Sequence, residues 1–226
     1  PSGATTFCGG NNVVLNASIG AAYQYQWFDG ANAITGATSG TYTATTSGNY
    51  SVRVRAGNTC EATSTAVPVT VNPSPTVVVT TTGTLQFCNG SGVLLTTTPG
   101  PGYTYQWYNG VNPIDGATSE TYFARVAGSF TVRTTLGPCT VTSAPPVVTS
   151  VLPSPVVTVT PVTSTIRKFE TQTLTANGAN SYNWASLPDL VSSTLTTGTY
   201  APLTTREYEV IGTDPNGCKD TANATI

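Results

Sequence analysis

The sequence predicts an all-β protein of three tandem two-sheet β-sandwiches arranged in a rod, and three observations carry that reading. An aromatic stretch, Tyr23-Gln24-Tyr25-Gln26-Trp27, returns as Tyr103-Thr104-Tyr105-Gln106-Trp107 and in shorter form as Tyr182-Asn183-Trp184. Alternation of an aromatic with a polar residue is the period of a strand with one buried face. Thr makes up roughly a fifth of the chain, charged residues only 8%, and 22 Gly and 16 Pro punctuate the remainder. β-Branched residues between Gly and Pro turns favour strands. Matching joints, Val71-Asn72-Pro73-Ser74-Pro75 and Leu152-Pro153-Ser154-Pro155, then divide the chain into residues 1–72, 76–152 and 156–226. Pro-Ser-Pro favours extended polyproline geometry, so each joint reads as a short, stiff spacer.

Within residues 1–72, Phe7-Cys8 precedes a Gly9-Gly10-Asn11-Asn12 turn, and Val13, Leu15 and Ala17 alternate on the next strand. The aromatic strand turns at Asp29-Gly30, a hairpin signal. Tyr42 and Ala44 mark a further strand, Ser47-Gly48-Asn49-Tyr50 leads into Val52 and Val54, and a Gly57-Asn58 turn precedes Cys60 and Val67-Pro68-Val69-Thr70-Val71. Residues 76–152 keep this order through Phe87-Cys88, Leu95, Trp107, Asn109-Gly110, Tyr122, Phe130, Val132, Cys139 and Val147-Val148. Residues 156–226 keep it more loosely through Leu174, Trp184, Tyr200, Tyr208, Val210 and Cys218. About seven short strands per copy make a two-sheet sandwich, with Trp27, Trp107 and Trp184 in the cores. Thr76 to Thr82 has no counterpart before Pro1, so the first strand of residues 1–72 reads as truncated and the chain as cut from a longer array.

Trp27 on a strand, followed by Ser47-Gly48-Asn49-Tyr50, resembles the immunoglobulin pattern, in which a Tyr near the start of strand F hydrogen-bonds back as a tyrosine corner. That family places a core cysteine two positions later, where this chain has Val52, Val132 and Val210. Aliphatic packing therefore replaces an inter-sheet disulfide, and Phe130 lacks the hydroxyl that Tyr50 offers. The fuller resemblance is to the Ig-like and PKD-like repeats of Bacteroidetes surface proteins. It is carried by Phe7-Cys8, Tyr25-Gln26-Trp27, Gly36-Ala37-Thr38, Thr41-Tyr42 and their second copies, and by Asp214-Pro215-Asn216-Gly217-Cys218 in the third. The resemblance implies three Ig-like domains, export by the type IX system, and a place at the bacterial cell surface in gliding-motility adhesins or cell-wall-linked enzymes.

The five cysteines fall as two pairs and a remainder. One disulfide inside each of the first two copies, Cys8 with Cys60 and Cys88 with Cys139, is the simplest account and requires an oxidising compartment. Each would close a loop of about fifty residues, contributing at most roughly 4 kcal/mol on the chain-entropy model. Cys8 and Cys60 lie at opposite ends of a simple sandwich, however. Either the first strand runs alongside the last, or the last strand begins later than drawn. Cys218 is left as a free thiol or with a partner elsewhere.

Composition narrows the chemistry. A net charge of −2 and a pI near 4.9 argue against nucleic acid or an anionic membrane surface as partner, and no apolar run is long enough to span a bilayer. The absence of His removes Ser-His-Asp and Cys-His systems and most zinc sites, and no cofactor motif is present. The carboxylates Asp29, Glu61, Asp115 and Glu120 do not correspond between copies, as a duplicated glycosidase pair would. Asp214, Asn216 and Asp220 are spaced somewhat like calcium ligands, but Asp-Pro-Asn-Gly is an ordinary turn sequence. Asp220-Thr221-Ala222 resembles the O-glycosylation motif of exported Bacteroidetes proteins, with Thr221 as acceptor. Asn16, Asn89 and Asn223 head sequons that matter only in a eukaryotic secretory pathway. Phe28 and Tyr108 lie opposite the core face of their strands, flanked by amides, where an aromatic could stack on a sugar.

The expected role is a non-catalytic repeat region of an extracellular adhesin or stalk that spaces and presents adhesive function. Its expected partners are neighbouring repeats of the same longer chain and a surface or glycan ligand. The alternative is that these are accessory Ig-like modules of a secreted polysaccharide-degrading enzyme, and direct glycan binding by the modules is a third reading.

Overall fold

A computed structural model describes all residues except Ala21, Asn58, Thr59 and Ser186. The described residues form strands, turns and loops throughout, as the Thr- and Val-rich composition predicts. The Gly57-Asn58 turn falls partly outside the described residues; Gly57 itself has a φ of 62°.

Residues 1–72 contain β1 (Thr6–Cys8), β2 (Val13–Asn16), β3 (Tyr23–Asp29), β4 (Asn32–Ala33), β5 (Thr41–Ala44), β6 (Gly48–Ala56), β7 (Cys60–Thr63) and β8 (Val67–Asn72). One sheet runs β1-β8-β6-β3-β4 with β7 also on β6, and β2 pairs with β5 to make the other. Of the two arrangements the sequence left open, the structure takes the first. β1 lies parallel to β8, with Phe7 opposite Val71 and Cys8 opposite Asn72.

The core between these sheets follows from period-two alternation: Val13 and Leu15 from β2, Trp27 from β3, Tyr50 and Val52 from β6 and Val69 from β8 point inward together. Tyr42 of β5 stacks on Trp27 with ring centroids 5.8 Å apart and tilts against Tyr50 at 5.4 Å. Removing each such side chain from water stabilises by about 1.5–3 kcal/mol, the aromatics adding their specific ring geometry. The Tyr50 hydroxyl donates to the Thr46 carbonyl at 3.0 Å, which is the tyrosine corner.

The alternating aromatics are not equally buried. Trp27 is buried, whereas Tyr25 is half-buried with its hydroxyl on the Ser18 carbonyl, and Tyr23 is 39% exposed. The expectation of one buried aromatic face on this strand fails at Tyr23, whose ring lies against Gly20 at the start of β3.

The middle segment repeats the set as β9 (Val79–Thr82), β10 (Gln86–Cys88), β11 (Val93–Thr97), β12 (Thr104–Asn109), β13 (Asn112–Pro113), β14 (Thr121–Ala124), β15 (Gly128–Leu136), β16 (Cys139–Thr142) and β17 (Val147–Leu152). Its sheets run β10-β17-β15-β12-β13, with β16 on β15, and β14-β11-β9. β10 lies parallel to β17, with Cys88 opposite Leu152.

The last segment comprises β18 (Thr158–Thr160), β19 (Gln172–Asn177), β20 (Ser181–Trp184), β21 (Leu190–Ser193), β22 (Thr197–Tyr200), β23 (Glu207–Thr213) and β24 (Lys219–Thr225). The sheets β18-β19-β22-β21 and β20-β23-β24 enclose Leu174, Trp184, Tyr200, Tyr208 and Val210. Ladders therefore form within each segment. Compactness divides the chain differently, into Pro1–Val79 with Thr96–Glu120 and Thr131–Pro146, and Thr80–Leu95 with Thr121–Phe130 and Val147–Ile226. That boundary runs through the middle segment.

Candidate functional site

The distinctive chemistry of the chain lies at its two joints. In the first unit, β8 carries the chain to Asn72, and Pro73-Ser74-Pro75 follows. The joint is held by its neighbours rather than left as a bare spacer. Gly9 N donates to the Asn72 carbonyl at 2.9 Å, Ser74 Oγ donates to the Gly9 carbonyl at 2.8 Å, and Thr76 N donates to the Tyr103 hydroxyl at 3.1 Å. The sequence placed Ser74 in the joint without a bonding role and Tyr103 on the aromatic strand rather than at the joint. The signal was present, since Ser recurs between the prolines and Tyr recurs two positions before each Tyr-Gln-Trp.

Cys8 closes the arrangement. It forms a disulfide with Cys139, Cα to Cα 5.6 Å, across 131 residues of sequence. In the second unit Cys88 forms a disulfide with Cys218, Cα to Cα 5.4 Å, across 130 residues. The expected pairs Cys8–Cys60 and Cys88–Cys139 are corrected, and so is the expected free thiol at Cys218. The free thiol is Cys60, exposed on β7.

The reason is the register. Parallel pairing of β1 with β8 carries Cys8 to Asn72, at the joint end of its own sandwich. Cys60 lies opposite Ala56 at the far end of β6, and two cysteines more than about 7 Å apart between Cα atoms cannot be bridged. The β15–β16 hairpin brings Cys139, opposite Leu136, to the joint instead, with its Sγ 3.9 Å from the Asn72 carbonyl. In the last segment the β23–β24 hairpin does the same for Cys218. Asp214 Oδ1 accepts from Asn216 N at 2.9 Å and Cys218 N at 2.8 Å, fixing the turn, and Cys218 is buried.

The oxygen ligands considered for calcium are thus engaged otherwise. Asp214 caps its own turn, Asn216 donates within it, and Asp220 Oδ2 accepts from Val157 N at 2.9 Å, tying the start of the last segment to β24. Among the described residues no group of three His, Cys, Asp or Glu is placed to hold a metal ion. Thr221 stands exposed on β24, opposite Ile211.

The outer aromatics are half-buried, and each is covered by a guanidinium. Arg53 lies 4.8 Å from the Phe28 ring centroid and Arg133 lies 5.0 Å from that of Tyr108. A cation over the ring face is an attractive contact in its own right and competes with a sugar for that face. The neighbouring amides also have structural work: Gln26 Nε2 donates to the Trp27 and Ile34 carbonyls, and Gln106 Nε2 to those of Trp107 and Ile114. The carboxylates are dispersed, with Asp29 accepting from Asn49 N at 2.9 Å and Glu61 bridging Arg53 and Arg55.

In the last segment, the Tyr208 hydroxyl donates to Asp189 Oδ2 at 2.5 Å, and Arg206 lies 3.6 Å from Asp189 Oδ1. Burial, then the hydrogen bond to Asp189, holds the Tyr208 phenol well above its ordinary pKa of 10.0. Tyr208 occupies the position of Tyr50 but bonds a side chain rather than a carbonyl four residues back.

No helix of the described residues is long and apolar enough to cross a membrane. A comparison with curated proteins finds no match. Among solved structures, a three-domain titin fragment, I67–I69, aligns over 98% of this chain and 94% of its own at 11% identity and a TM-score of 0.42. The three N-terminal domains of the bacteriophage RB49 outer capsid protein Hoc align over 98% and 93% at 16% identity and 0.34. The D1–D4 ectodomain fragment of ICAM-5 aligns over 99% and 73% at 16% identity and 0.39. Residues 1–73 match the family described as "Ig-like domain CHU_C associated".

Proposed function

We propose that this chain is a non-catalytic repeat region of an extracellular bacterial adhesin or stalk, which spaces and presents adhesive function at the cell surface. The observation that carries the reading is the pairing of Cys8 with Cys139 and Cys88 with Cys218, which links successive repeats covalently rather than stapling each repeat internally. A link between repeats resists separation of neighbours under load, which a tether needs and an enzyme accessory module does not. Disulfides also belong to an oxidising compartment, which supports an extracellular setting. The match of residues 1–73 to an Ig-like domain family supports the same role.

Deletion of these repeats from the parent protein tests it. Cells carrying the deletion are expected to export the remainder at normal level and lose attachment to their surface. Full attachment with normal export would overturn the reading.

A further inference from the structure

Cys60 occupies the position of Cys139 and Cys218. Cys60 begins β7 and Cys139 begins β16, while Cys218 immediately precedes β24, each being the return strand of the hairpin that follows its segment's long strand. Cys139 and Cys218 are both fully buried and bonded to the Phe-Cys strand or its equivalent position one repeat earlier, whereas Cys60 is exposed and free.

A second observation lies beside it. In the middle segment β11 pairs with β14 on one side and with the opening strand β9 on the other. In the first segment, among the described residues, the only strand on β2 is β5, and Ser2 alone reaches its other side, donating its N–H to the Val14 carbonyl at 2.9 Å. The other side of β2 borders a cavity of about 550 Å³ lined by Leu15, Tyr23, Trp27, Val52 and Cys60. Tyr103, the counterpart of Tyr23, accepts the backbone N–H of Thr76 as the chain enters its opening strand. Tyr23 instead stands 39% exposed at the cavity.

We infer that the cavity beside β2, together with Cys60, is the docking face for a further module of this same repeat. That module lays the extended strand of its Pro-Ser-Pro joint along β2 and bonds the cysteine of its Phe-Cys strand to Cys60. The backbone edge of β2 beyond Val14 calls for a strand. The mixed lining of Leu15, Val52 and Val54 beside Ser18, Ser64 and Thr65 suits Thr- and Val-rich sequence such as Thr76-Val77-Val78-Val79-Thr80, and Tyr23 holds the position from which Tyr103 accepts a joint N–H. A second copy of this chain acting in trans does not fit, because its Cys8 and Cys88 are already bonded. The bond forms by exchange with a small-molecule disulfide such as oxidised glutathione. Two protein thiols are oxidised to one disulfide, and the glutathione disulfide is reduced to two glutathione thiols that carry away both protons. The inference stands on repeat geometry and is independent of adhesion.

The test is a chain with residues 1–80 duplicated ahead of Pro1, the leading copy carrying Cys60→Ser, refolded in a glutathione redox buffer. Alkylation after denaturation is expected to find one free thiol in the original chain and none in the extended one. Digestion without reduction is expected to yield Cys60 joined to Cys8 of the leading copy. Changing that leading cysteine by Cys8→Ser is expected to restore one free thiol. A free thiol or a glutathione adduct at Cys60 in the extended chain overturns the inference. Should the extended chain not fold, a synthetic peptide of residues 72–82 added to the original chain is expected to slow amide exchange along β2. Unchanged exchange at millimolar peptide overturns it equally.

Discussion

Cys8 is bonded to Cys139, 131 residues away, and not to Cys60 within its own sandwich. Parallel pairing of β1 with β8 puts Cys8 at the joint, where the hairpin of the next repeat arrives. The staple therefore serves the junction between repeats, and no disulfide closes within the sandwich of residues 1–72.

Stability should follow that assignment. Cys60→Ala is expected to change urea stability by no more than about 0.5 kcal/mol, as for an exposed side chain without a structural partner. Cys8→Ala with Cys139→Ala releases a constraint on 131 residues, for which the chain-entropy model sets an upper figure of about 5 kcal/mol. Denaturant melts of both variants check it, and a large loss from Cys60→Ala would reinstate the internal pairing.

The tyrosine corner gives a second expectation. Tyr50→Phe removes the donor to the Thr46 carbonyl and is expected to cost about 0.5–1.5 kcal/mol, read as a lower urea midpoint with unchanged m-value. Phe130 shows that the ring alone can occupy this position, so the loss should stay within that range.

Asp29 and Gly48 form a coupled pair. The Asp29 carboxylate accepts from Asn49 N across the β3–β6 ladder, and a Cβ on Gly48 would come within 2.5 Å of Asp29 Oδ1. Gly48→Ala is expected to cost about 1–3 kcal/mol, as overpacking does. Asp29→Ala should cost about 0.5–1.5 kcal/mol through the lost hydrogen bond. The double variant should be less unstable than the sum by at least about 0.5 kcal/mol, and a double-mutant cycle measures the coupling. Simple additivity would mean that the carboxylate does not fill the space above Gly48.

The Tyr208 phenol predicts a pH dependence in the last segment. Its folded-state pKa is raised above 10.0 by burial and by the hydrogen bond to Asp189. The folded state therefore holds the proton more tightly than the unfolded chain. The contribution is complete below pH 10 and is lost as pH rises from there through the folded-state value. Thermal melts between pH 8 and about 11 are expected to show a fall in stability that Tyr208→Phe reduces. An equal slope in the variant would place the titration elsewhere, on Tyr200 for example, whose pKa is also raised by burial.

Much of this protein was legible in its sequence. Period-two alternation in Val13 to Leu15 and Tyr25 to Trp27, together with Gly and Pro punctuation, determined the strands, the repeat and the buried Trp27, Trp107 and Trp184, because alternation and turn chemistry act within a few residues. Tertiary structure alone decided which cysteines meet, that Arg53 and Arg133 cover Phe28 and Tyr108, and that Tyr23 borders a cavity. A disulfide needs two Cα atoms within about 7 Å, and spacing along the chain carries no distance across a joint. The direction of β1 beside β8 supplied that distance, since reversing one three-residue strand would move Cys8 away from Asn72 and the joint.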